Sequence, residues 1–163
     1  MKLWIKIKNH FFNAFRELFV HHHSSLEFRA KILALIIAAN ENFDSKECEI
    51  ITEIGQDIYK NDSERVNLLF LSTKELVKKV KDDNGLDIDT LIANIQKELK
   101  YVPRYAKKID VESLKSIVKL SKDEDTISYQ NNILEFLQDL KDETLNSKKS
   151  QIAKDEEKLV STY

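Results

Sequence analysis

The chain has 163 residues, 42% of them apolar and 33% charged, with a net charge of −2. That is enough apolar material for one domain with a sizeable core, and it excludes an intrinsically disordered polypeptide. The two charge signs are interspersed, so no general nucleic-acid surface is expected.

Two Gly and one Pro are too few for the turns of a sheet protein. Lys, Glu, Leu and Ile dominate, so the expected fold class is all-α. The single Cys48 cannot form an internal disulfide, and a reducing, cytoplasmic setting is the simple expectation. No apolar stretch is long enough to span a bilayer. The first 23 residues do not read as a secretory signal, because charges interrupt the apolar region.

In chain order, residues 3–20 are expected to form an amphipathic helix. Trp4, Phe11 and Leu18 repeat every seven residues, Ile5, Phe12 and Phe19 repeat beside them, and Phe15 lies on the same face. Lys2, Lys6, Lys8 and Arg16 against Glu17 make the segment basic. Such a stripe can fold back on its own bundle. It can also lie on an anionic membrane surface with Trp4 and the Phe rings sunk and the lysines at the headgroups, or dock on a partner or a second copy. His21-His22-His23 follows. Adjacent helical residues diverge by about 100°, so a polar linker is a better reading than a metal site.

A second helix is expected from Ser25 to Asn40, with Phe28, Ile32, Leu35, Ile36 and Ala39 on one face. After Asn40-Glu41-Asn42-Phe43, Asp44 and Glu47 form a capping box for a helix that buries Ile50, Ile51, Ile54 and Ile58. Asn61-Asp62-Ser63 opens a fourth helix through Val66, Leu69, Phe70, Leu76, Val77 and Val80. Asp82-Asp83-Asn84-Gly85 is a turn needing a positive φ. It is not a calcium loop, since Val80 and Leu91 would stand where oxygen ligands are required. Asp87 or Asp89 caps a helix through Leu91, Ile92, Ile95 and Leu99, and Pro103 ends it. Asp110 caps a sixth through Leu114, Ile117, Val118 and Leu120. A polar loop over 121–126 then leads to Ser128, the expected cap of a seventh helix carrying Ile133, Leu134, Leu137 and Leu140. Beyond Asp142 a charged tail is expected, either solvated helix or disordered.

Two stretches, Ile32–Ile54 and Ile117–Leu140, share a layout. An apolar helix runs into a short acidic loop, an apolar residue (Phe43 or Ile127) plugs the loop, and a capping residue (Asp44 or Ser128) opens the next helix. The first reads Ala38-Ala39-Asn40-Glu41-Asn42-Phe43-Asp44-Ser45-Lys46-Glu47, and the second Ser121-Lys122-Asp123-Glu124-Asp125-Thr126-Ile127-Ser128. In this the chain resembles TerB-like (tellurite-resistance) domains. Their two loops typically read Ala-Ala-Asp-Gly, two residues, Ser or Thr, then a Glu near the start of the next helix. The resemblance covers about Ser24 to Glu143. It departs from the pattern at Asn40 (Asp in the family), Glu41 (Gly) and Asn131 (the late Glu of the second unit).

The resemblance implies a bundle of about seven helices built from two helix–loop–helix units. The implied organisation is residues 1–23 as N-terminal helix and linker, 24–143 as the bundle and 144–163 as a tail. It implies a stress-related protein-interaction module whose loops are linked with divalent-metal binding, weak here if present, while the basic N-terminal helix adds the expectation of a peripheral place at the inner membrane face. The candidate cation (Ca²⁺ or Mg²⁺) set is Glu41, Asp44, Glu47, Asp123, Glu124 and Asp125, since hard cations need several converging oxygens. The structural alternative is that these carboxylates cap helices. The membrane- or partner-binding set is Lys2, Trp4, Ile5, Lys6, Lys8, Phe11, Phe12, Phe15, Leu18 and Phe19. No nucleophile–base pair, phosphate loop or zinc set stands out, so catalysis is not expected. A small metal-assisted hydrolase on the acidic loops and a structural helical oligomer are the alternatives. Cys48 is expected to be structural.

Overall fold

A computed structural model describes residues 24–40 and 44–162. The amphipathic segment 3–20, the His run, Glu41 and Phe43 lie outside the described residues. The described chain is all-α. Its helices are α1 (Ser24–Ala38), α2 (Ser45–Tyr59), α3 (Ser63–Lys81), α4 (Ile88–Tyr101), a 3-10 turn (Pro103–Lys108), α5 (Val111–Val118) and α6 (Glu124–Val160).

Helix α1 organises the bundle. It packs against α3, α4, α5, α6 and the 3-10 turn. Leu26, Phe28, Ala30 and every residue from Ile32 to Ile37 are buried. The single apolar face expected for this helix is therefore a nearly complete apolar circumference, because neighbours enclose it on several sides. The helix stops where Asn40 N–H turns back to the Ile37 carbonyl at 3.0 Å.

Most boundaries follow from their caps. Asp44 and Glu47 form the expected capping box on α2. Asp62 accepts from Arg65 N–H, Asp87 from Thr90 N–H and Asp110 from Ser113 N–H. The turn after α3 places Gly85 at φ 77 and Asp83 at φ 51. Gly55 allows α2 to close on α3, since a Cβ there would sit 3.2 Å from Val66 Cγ1.

Pro103 ends α4, and the following 3-10 turn buries Tyr105 and Ala106. Tyr105 packs on Phe28 with ring centroids 5.3 Å apart. Lys141 Nζ donates to the Ile109 carbonyl at 2.8 Å, tying α6 to the segment before α5.

Two expectations change at α6. Its N-cap is Asp123, whose Oδ2 accepts from Thr126 N–H at 3.0 Å, and Ser128 is already inside the helix. Asp outcompetes Ser here because it brings a full negative charge to the positive end of the helix. Of the two forms expected for the charged tail, the helical one is found. α6 continues without interruption to Val160, and no Gly or Pro occurs along it.

Candidate functional site

The α1–α2 and α5–α6 junctions meet. Asn40, Asp44 and Glu47 from the first line one cleft with Leu120, Ser121, Lys122, Asp123 and Thr126 from the second, enclosing about 420 Å³. Loops far apart in sequence converge because α1 packs against both α5 and α6, and α2 against α5.

Glu47 forms the floor of the first half. It is 1% exposed. Its Oε1 accepts from Asn40 Nδ2 at 2.9 Å, and its Oε2 from Asp44 N–H at 3.2 Å. Burial raises its pKa above the ordinary value, opposed by the hydrogen bonds from Asn40 and Asp44. Asp44 Oδ1 accepts from Lys46 N–H at 2.9 Å and Glu47 N–H at 3.4 Å.

Gln130 organises the second half. It is fully buried. Its Nε2 donates to the Ile36 carbonyl at 3.0 Å, and its Oε1 accepts from Ser121 Oγ at 2.7 Å. This amide satisfies a carbonyl near the C-terminal end of α1 and bridges α1, α6 and the loop after α5. Sequence reading passed over it by looking for the second late polar residue at Asn131. The available signal was periodicity, since Gln130 stands three after Ile127 and four before Leu134, on the apolar stripe.

The six carboxylates proposed as cation ligands divide. Asp44, Glu47 and Asp123 line the cleft, whereas Glu124 and Asp125 do not and are exposed in the first turn of α6. Glu41 is outside the described residues. The three that share the cleft already accept hydrogen bonds from Lys46, Glu47, Asn40, Asp44 and Thr126. Among the described residues, no group of three or more His, Cys, Asp or Glu is placed to hold a metal ion. Glu124 and Asp125 lie off the cleft because α6 starts earlier than expected, which turns an expected loop into helix.

Cys48 is a half-buried free thiol in the first turns of α2. Burial pushes its pKa up, more than Lys74 lowers it, so desolvation outweighs any activation by the helix N-terminus. No helix of the described residues is long and apolar enough to cross a membrane. The chain matches no protein-family model, no curated protein and no solved structure.

Proposed function

We propose that the chain is a non-enzymatic protein-interaction module of the TerB-like kind. It presents the cleft between its two helix–loop–helix units to a protein partner, while the basic segment 1–20 holds it at the surface of an anionic membrane. The observation that carries this reading is the convergence of the two junctions on one polar cleft. The state of the carboxylates weighs for recognition over hydrolysis. Asp44, Glu47 and Asp123 serve in helix caps, so a catalytic metal or a proton in transit would draw on side chains that already hold helix starts. Any divalent cation would compete with those caps and bind weakly.

Affinity capture with the full chain and with Lys122→Glu tests the reading. Lys122 is exposed on the cleft wall, so the change reverses charge without touching the core. The expected result is a partner retained by the parent chain and by Glu64→Lys on α3 but lost by Lys122→Glu, at unchanged melting temperature. Equal recovery by all three would refute the cleft as the binding surface. Repeating the capture with calcium and with a chelator separates a metal-controlled partner from an indifferent one.

A further inference from the structure

The far end of α6 carries a second, independent surface. From Gln151 to Val160 every residue is exposed, Ile152 by 48%, Leu159 by 65% and Val160 by 78%. These turns extend a helix already nucleated on the bundle, but they bury no side chain of their own against it. Ile152 and Leu159 stand seven residues apart on one exposed edge of the helix, and Leu145, half-buried against the bundle core, stands seven before Ile152. At the base of this stretch, Tyr101, Pro103 and Leu140 line an open groove whose charged rim is Lys97, Lys100 and Lys148 against the single carboxylate of Glu143. Tyr101 there is 77% exposed.

The charges beside the stripe say what covers it. Lys148 and Lys149 precede Ile152, while Asp155 and Glu156 follow it. Lys154, two positions on from Ile152, falls on the opposite side of the helix. A parallel pair would set lysines against lysines and carboxylates against carboxylates. An antiparallel pair with its two-fold axis near Ile152 sets Lys148 and Lys149 of each copy level with Asp155 and Glu156 of the other, and Leu145 level with Leu159. The pattern is complementary to itself reversed, which is what an isologous two-fold interface requires.

We infer that two copies of this chain pair antiparallel through residues 145–160 of α6. Each lays its acidic, apolar end toward the basic-rimmed groove at the base of the other's helix. This interface is separate from the cleft proposed above and stands or falls without it.

Sedimentation of the full chain over a concentration series tests the pairing. The expected mass rises from 19.1 kDa toward twice that value. Ile152→Asp holds it at the single-chain mass and, at concentrations low enough to keep both chains monomeric, melts with the parent, since the residue lies outside the core. The double change Lys148→Glu and Lys149→Glu weakens association by about tenfold or more. Adding Asp155→Lys and Glu156→Lys to it restores pairing, as only the antiparallel arrangement allows. A parent chain that stays monomeric, or a dimer indifferent to Ile152→Asp, overturns the inference. So does a dimer lost only on removal of residues 1–20, which would place the interface on the N-terminal stripe.

Discussion

Glu47 and Gln130 show how much of the cleft depends on single buried polar groups. Glu47 is nearly inaccessible, and its folded pKa is raised above 4.5 mainly by burial. The neutral acid is therefore favoured in the folded state. Its contribution to stability is full below about pH 4.5 and is lost as pH rises through the raised folded value. Glu47→Gln cannot ionise, so its stability relative to the parent should improve as pH rises from about 4.5 through the raised folded value. Urea unfolding of the two chains at several pH values reads this, and parallel curves would contradict it. Gln130→Leu leaves the Ile36 carbonyl without its amide donor and Ser121 Oγ without its acceptor. The expected loss is about 1–3 kcal/mol, the cost of stranding a buried polar group, measured by the same unfolding assay. A neutral result would mean that the Ile36 carbonyl finds another donor. The Glu47 capping box was legible because Asp44 and Glu47 satisfy a local rule. Gln130 was not, because its partner Ile36 is 94 residues away.

Helix boundaries were readable wherever a single side chain decides them. Asp44, Asp62 and Asp110 each cap the helix that follows, Asp87 rather than Asp89 is the cap of α4, and Pro103 ends that helix. The start of α6 was misread because two residues compete for the role. Ser128 and Asp123 both precede apolar periodicity, and what separates them is the charge that Asp123 brings to the helix dipole. Asp123→Ala should cost about 1 kcal/mol, visible as a lower melting temperature. Ser128→Ala should be within about 0.5 kcal/mol of neutral, as for an ordinary exposed site. A larger effect at Ser128 than at Asp123 would reverse the assignment. The length of α6 was also undecided from composition. Its last turns have high intrinsic helix propensity but little apolar area to bury in the bundle.

For the whole molecule, α1 is the element on which the others close, so deletions there should be the most damaging. Leu35 is fully buried, and Leu35→Ala should lose about 2–5 kcal/mol, transfer and cavity terms together. A loss below about 1 kcal/mol in equilibrium unfolding would show that neighbouring helices collapse into the space. The sequence by itself determined the all-α class, the succession of helices and most of their ends, since these follow from composition, 3.6-residue periodicity and caps that act within four residues. It also placed Asp44 and Glu47 at a helix start. Only the tertiary structure decided that α1 is enclosed rather than one-faced, that the α1–α2 and α5–α6 junctions share a cleft, and that Glu124 and Asp125 stand outside it. It alone showed the last turns of α6 solvated, with their apolar stripe exposed. Those outcomes depend on contacts between residues tens of positions apart, and burial by a distant helix leaves no local mark on the residues it covers.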